Sequence, residues 1–167
     1  GAYLCHHQGI DEIHLTGSDK TFEAIVFGTG SEGAKRKAER KPLLTKRITG
    51  ELGNISPVIV VPGPWRSNDL AYHANSLTSM LVNNAGFNCL TARVIIQHSA
   101  WSKRDELLGR MRKLLSETPP RKAYYSGAQE RYQTFLTAHP EAEQFGPSID
   151  SKLPWTLIPN IDSESEN

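Results

Sequence analysis

Apolar and polar positions along the 167-residue chain switch between two periods, and the switches mark out its elements. Glu12-Ile13-His14-Leu15 alternates and then breaks at Thr16-Gly17-Ser18, which predicts a short strand, a turn, and a helix start with Ser18 as N-cap. The run Phe22 to Phe27 fits helix or strand, because periodicity does not type so short a stretch. Residues 46–51 and 57–61 fit strands. The β-branched Val58-Ile59-Val60-Val61 suits a central strand covered on both faces, and Pro62-Gly63-Pro64 stops it. From Asn68, read as an N-cap, to about Asn84, the apolar Leu70, Ala74, Leu77 and Leu81 recur at the helical period. Gly86 ends that helix and a strand over 91–97 begins almost at once, so Cys89 falls in a short link that both neighbours should bury. A helix over 102–116 turns Leu107, Leu108, Met111, Leu114 and Leu115 inward, and another over 127–139 does so with Tyr132, Phe135 and Leu136. A last strand is expected over 155–158. Strands alternating with helices predict an α/β fold, a largely parallel sheet with flanking helices.

Composition narrows the function more by exclusion than by assignment. Hydrophobic residues make up 38% and charged residues 22%, which is an ordinary globular mixture rather than a disordered one. Nineteen basic against eighteen acidic side chains give a net charge of +1, so no global charge argues for nucleic acid or an anionic membrane as a partner. Apolar runs such as Val58 to Val61 fall far short of a bilayer span. Cys5 and Cys89 are far apart and form no metal-ligand spacing, which favours a reducing, cytoplasmic setting with no metal. Charge is uneven, however. Residues 32–47 hold seven basic and two acidic side chains, within a stretch 31–47 read as a mobile basic loop, while residues 141–167 hold six acidic and one basic. The polar end, 162–167, is expected to be disordered. A first residue that is Gly rather than Met suggests a piece processed or excised from something longer.

Chemistry becomes visible where three short motifs occur in order. Leu15-Thr16-Gly17-Ser18 comes first, Glu51-Leu52-Gly53-Asn54-Ile55-Ser56-Pro57 second, and Asn84-Ala85-Gly86-Phe87-Asn88-Cys89 third, its cysteine 38 residues after Glu51. Together they resemble the aldehyde dehydrogenase superfamily, in which a Phe-Thr-Gly-Ser turn, a Glu-Leu-Gly-Gly-Lys-Ser-Pro segment and a Gly-Gln-x-Cys link follow one another. Asn54 and Ile55 stand where the family has Gly-Lys, Phe87 stands where it has Gln, and the Gly63 to Asn68 turn is longer.

The resemblance implies an aldehyde dehydrogenase-like catalytic domain and the oxidation of a small aldehyde to a carboxylic acid, with NAD or NADP as cofactor. It casts Cys89 as the nucleophile, forming a thiohemiacetal and then a thioester, and Glu51 as the base that activates water. Gly17 and Ser18 would lie by the cofactor's pyrophosphate at a helix N-terminus, unless they are an ordinary strand-to-helix turn. The backbone of Leu52 would touch the nicotinamide amide. Family chains are considerably longer and assemble as oligomers, so residues 1–50 correspond to the end of the cofactor-binding region and 51–161 to part of the catalytic domain. Such a piece is expected to be inactive alone, and the complete protein to be a homo-oligomer. The alternative is a non-catalytic dinucleotide-binding or structural α/β module.

Two further patterns compete with this reading. Gly28-Thr29-Gly30-Ser31-Glu32-Gly33 spells a dinucleotide fingerprint, but the following residues 34–41 offer only alanines to pack against a sheet and Pro42 cuts them short. Glu143-Gln144-Phe145-Gly146-Pro147 matches a family motif that holds the nicotinamide ribose, yet it follows Cys89 by 54 residues where the family needs nearly twice that. Both are read as coincidences, the second as a helix end followed by a loop. Cys5 is read as structural.

Overall fold

The computed structural model describes residues 1–162 and 164, and divides into two compact units, Gly1–Asn54 and Ile55–Asn167. The first begins with a short helix α1 (Ala2–His6), followed by β1 (Glu12–Thr16), α2 (Asp19–Phe27), α3 (Gly30–Ala38) and β2 (Arg47–Glu51). Strands β1 and β2 pair in parallel with Glu12 opposite Arg47 and Thr16 opposite Glu51. Side chains at successive strand positions point to opposite faces, which is why Ile13 and Leu15 are partly covered while Glu12, His14 and Thr16 are exposed. The exposed face carries cross-strand polar pairs: Arg47 donates to Glu12 at 2.9 Å, and His14 Nδ1 lies 2.8 Å from Thr49 Oγ1.

Helix α2 resolves the ambiguous run at Phe22 to Phe27. Ser18 caps it with extended backbone (φ −83°, ψ 152°), its hydroxyl accepting from the Thr21 N–H at 3.1 Å. Helix α3 corrects the expectation of a loop over 31–47 for its first part, up to Ala38. A helix whose apolar side chains are two alanines buries little by itself, but Gly33 is buried, and a Cβ there would lie 2.2 Å from the Gly28 carbonyl oxygen. Close backbone approach, rather than a wide apolar stripe, holds this helix in place. An ion pair from Lys37 to Glu23 of α2 adds to it, and Arg36 pairs with Glu32 within the helix at 3.8 Å. Beyond it, the Leu43 and Leu44 N–H groups both donate to the Val26 carbonyl, and Leu44 is buried, as is Cys5.

The second unit contains β3 (Ser56–Val60), α4 (Ser67–Val82), a 3-10 turn (Asn83–Gly86), β4 (Ala92–Gln97), α5 (Arg104–Glu117), α6 (Ala128–Ala138), β5 (Glu143–Phe145) and β6 (Trp155–Leu157). Strands β3 and β4 are parallel, joined through α4, while β5 and β6 are antiparallel with Glu143 opposite Leu157. Helix α4 buries Leu70, Ala74, Leu77 and Thr78, and α5 buries Leu107, Met111 and Leu115 at a spacing of four. Leu70, Ala74 and Leu77 of α4 and Leu107 and Met111 of α5 meet Val60, Ala92 and Trp101 in one core. Leu70, Leu107 and Leu115 are fully buried, each contributing about 1.5–3 kcal/mol relative to an exposed side chain.

Four expectations fail here, each for a local reason. Strand β3 is covered on one face only in this chain. Val60 is buried, but Ile59 and Val61 are exposed, as are Val94 and Ile96 of β4. Helix α4 is capped at Arg66, not Asn68, because the Asp69 carboxylate reaches back to accept the Arg66 N–H at 2.7 Å. Phe135 faces solvent on α6, where Tyr132 and Leu136 are partly covered. The segment read as a loop after Pro140 forms β5, because 155–157 supplies it with an antiparallel partner. Of the 162–167 tail only Asp162 and Glu164 are described, and the expectation for the rest lies outside the described residues.

Candidate functional site

Parallel strands end together, and whatever follows them collects at one edge. In the first unit the Gly17 N–H donates to the Glu51 carbonyl at 3.0 Å, one step beyond the last pair of the β1–β2 ladder. This bond brings Gly17, Ser18 and Glu51 to the C-terminal edge of the pair, with Leu52 next in the chain. Ligands of open parallel sheets characteristically bind outside that edge. Glu51 and Ser18 are exposed and Leu52 is partly covered.

Backbone chemistry at this edge suits a phosphate. The first N–H groups of α2 have no acceptor within the helix, and Ser18 takes up only that of Thr21. Those of Asp19 and Lys20 remain as donors at the positive end of the helix dipole. No Cβ on Gly17 narrows the approach, and a methyl placed there would meet only Leu15, at 3.7 Å. The Asp19 carboxylate in the first turn opposes an anion, as does that of the exposed Glu51 at the same edge.

Cys89 belongs to the second unit and is exposed, which corrects the expected burial of its link. The residues around it explain why. Asn84, Ala85 and Gly86 all take left-handed backbone, at φ 51°, 55° and 77°, turning the chain out of α4 before β4 begins. The segment is held out by hydrogen bonds to its own polar groups. Ser56 Oγ donates to the Cys89 carbonyl at 2.9 Å, an Arg93 N–H donates to the Gly86 carbonyl at 2.8 Å, and the Thr91 N–H donates to the Asn88 carbonyl at 3.2 Å. Phe87, in the position of the family's Gln, packs its ring on Tyr124 and Tyr125 with centroids 5.1 and 4.8 Å away. Sequence reasoning missed those tyrosines. The Tyr-Tyr doublet in a stretch without periodicity was the available signal.

The competing motifs resolve into local structure. Gly28 ends α2 at φ 88° and Gly30 opens α3 at φ 67°, so the three glycines join two helices. A dinucleotide fingerprint needs a strand in front of it. Glu143 of the Phe-Gly-Pro motif accepts two hydrogen bonds from Arg112 of α5, at 2.7 and 2.8 Å. These bonds, reinforced by the guanidinium charge and opposed by burial, hold its carboxyl below the ordinary range, and the same pairing raises Arg112. Glu141 is also lowered, first by a hydrogen bond from its own backbone and then by His139. Among the described residues, no group of three or more His, Cys, Asp or Glu side chains is placed to hold a metal, and no helix is long and apolar enough to cross a membrane.

Residues 1–140 match the family model described as the aldehyde dehydrogenase family. No curated protein matches the chain. Among solved structures, the substrate-bound state of Staphylococcus aureus AldH matches 94% of this chain and 33% of its own at 20% identity and a TM-score of 0.66. The NADP complex of an NADP-dependent glyceraldehyde-3-phosphate dehydrogenase from Bacillus halodurans matches 92% of this chain and 30% of its own, also at 20% identity and 0.66. A variant of aldehyde dehydrogenase C from Pseudomonas syringae, complexed with NAD+ and octanal, matches 99% and 34% at 18% identity and 0.65. The chain therefore spans about a third of the length of the structures it resembles.

Proposed function

The chain belongs to the aldehyde dehydrogenase family, and from that premise we propose that the complete protein oxidises a small aldehyde to a carboxylic acid with NAD or NADP, using Cys89 as nucleophile and Glu51 as base. The observation that carries this reading is the exposure of Cys89, three residues past the pinned left-handed turn at Asn84–Gly86, inside the matched region. The thiolate of Cys89 attacks the aldehyde carbon to give a thiohemiacetal, and loss of hydride from that carbon leaves a thioester on the same sulfur. When bound, the nicotinamide supplies the hydride acceptor. Glu51 then takes a proton from water as it adds to the thioester carbonyl, and collapse of the adduct expels the Cys89 thiolate and releases the acid. The α2 N-terminus at Gly17 and Ser18 would hold the cofactor's pyrophosphate through backbone N–H groups, and Leu52 would meet its amide through the main chain.

The test is kinetic and uses the full-length protein. Cys89→Ser should abolish both the burst and the steady state of aldehyde-dependent NAD(P)H formation. Glu51→Gln should keep the burst and slow turnover by about 10²- to 10⁴-fold, the usual contribution of a general base. Oxidation that survives Cys89→Ser would overturn the assignment, and a Glu51→Gln enzyme with unchanged turnover would remove Glu51 from it.

A further inference from the structure

Left-handed backbone is unfavourable for residues with a Cβ, by about 1–2 kcal/mol each in general and less for Asn. Asn84 and Ala85 adopt it in succession, five and four residues before Cys89. Such a turn relaxes unless something outside it prevents this. Arg93 and Ser56 hold its later part from the flanking strands, at the Gly86 and Cys89 carbonyls. The start of the turn is held from elsewhere. Tyr124, in the link between α5 and α6, donates its hydroxyl proton to Asn84 Oδ1 at 3.0 Å, across 40 residues of sequence. The Asn84 amide then donates from Nδ2 to Asn88 Oδ1, also at 3.0 Å, and Asn88 is the residue bonded to Cys89. Using both ends of the amide fixes its orientation, so the hydroxyl of Tyr124 is relayed to the immediate neighbour of the thiol.

Resting on the reading of Cys89 as nucleophile, we propose that Tyr124 is a positioning residue for that thiol, acting through Asn84 and Asn88. The ring of Tyr124 is fixed independently of its hydroxyl, because it packs edge-on against Phe87 with centroids 5.1 Å apart and at a tilt against Tyr125 at 5.0 Å. Tyr124→Phe therefore keeps these ring contacts and deletes one hydrogen bond. A loosened turn lets the thiol wander from its line of attack. Displacements of about 1 Å in a reacting group can cost on the order of 100-fold in rate.

The experiment measures kcat, KM and thermal midpoint in the full-length protein, with straight-chain aldehydes from acetaldehyde to decanal and with NAD and NADP. Tyr124→Phe should lower kcat about tenfold or more, with KM changed less than about threefold and the folded fraction unchanged. Asn84→Gly removes the relay while suiting the left-handed backbone, and should give the same fall. Combined, the two substitutions should do no more than Asn84→Gly alone, since both cut one path. A Tyr124→Phe enzyme with wild-type kcat, a loss that only follows the folded fraction, or additive losses in the double variant would each overturn the proposal. Cys89→Ser run in parallel separates the two ideas. Oxidation that survives it removes the nucleophile and the relay together, as does a wild type that oxidises none of the aldehydes, whereas a dead Cys89→Ser beside a normal Tyr124→Phe removes the relay alone.

Discussion

Removing the Glu143 charge should loosen β5 from α5, and the size of the effect follows from the pair's geometry. Two parallel bonds of 2.7 and 2.8 Å join the carboxylate to Arg112, each partner keeping about a third of its side chain exposed (31% and 36%). Hydrogen bonds to charged groups contribute about 1.5–3 kcal/mol, and exposed ion pairs about 0–1 kcal/mol. A partly exposed bidentate pair falls between these limits, at a coupling of about 1–2 kcal/mol. Urea unfolding of Glu143→Gln, Arg112→Gln and the double variant in a thermodynamic cycle measures that coupling free of each single loss. The pH dependence has a definite sign. Arg112 lowers the Glu143 carboxyl in the folded chain, so the contribution is complete above the unfolded carboxylate value of about 4.3 and is lost as pH falls through the lower folded value. The gap between wild type and Glu143→Gln should be flat from pH 7 to about 5 and then close in acid. A coupling below about 0.3 kcal/mol at pH 7, or a gap that persists once the carboxyl is protonated, would refute the reasoning.

Two substitutions probe the first unit. Gly33→Ala places a methyl 2.2 Å from the Gly28 carbonyl oxygen and 2.6 Å from its carbon, which no rotamer relieves. The turn between α2 and α3 must open, at an overpacking cost of about 1–3 kcal/mol or more, against about 1 kcal/mol gained in helix propensity. A lowered urea midpoint is expected, and a variant as stable as wild type would contradict the close approach. Ser18→Ala removes the cap of α2 and should cost about 1 kcal/mol, read as faster hydrogen exchange at the Thr21 amide. Unchanged protection there would mean that the hydroxyl does not cap.

What was legible in the sequence divides along the range of the forces involved. Helices α4 and α5 could be read because their burial repeats every three or four residues, and each stripe faces one core. The β1 strand, the Ser18 cap and the turn at Gly17 were readable for the same local reason. Helix α3 was not, because the feature that fixes it is a contact between two backbones, Gly33 and the Gly28 carbonyl, and no side chain records it. Strand β5 was hidden because its partner lies about a dozen residues further on, past Gly146 and Pro147. The exposure of Cys89 was hidden too. Apolar strands on both sides suggested burial, whereas three left-handed residues swing the link outward, and although Asn84 and Gly86 tolerate that conformation, nothing in Ala85 between them announces it.

The same divide separates the motifs proposed to carry chemistry from the two competing patterns. A motif residue can serve a ligand when its functional atoms are not already committed to the fold. The Glu51 main chain accepts from Gly17 while its side chain is exposed beyond the strand end, so the ladder uses the backbone and leaves the carboxylate available to chemistry. Glu143 is in the reverse position. Both of its carboxylate oxygens are taken by Arg112, and to bind a ribose it would first surrender about 1–2 kcal/mol of pairing and leave a guanidinium without its partner. Gly146 nearby is committed as well, with φ at 92° and Pro120 occupying the space where a side chain would go. The Phe-Gly-Pro letters at 145–147 are thus engaged at the β5 edge of this fold, whereas among the described residues no such pairing occupies Gly17 and Ser18, proposed above to meet the cofactor.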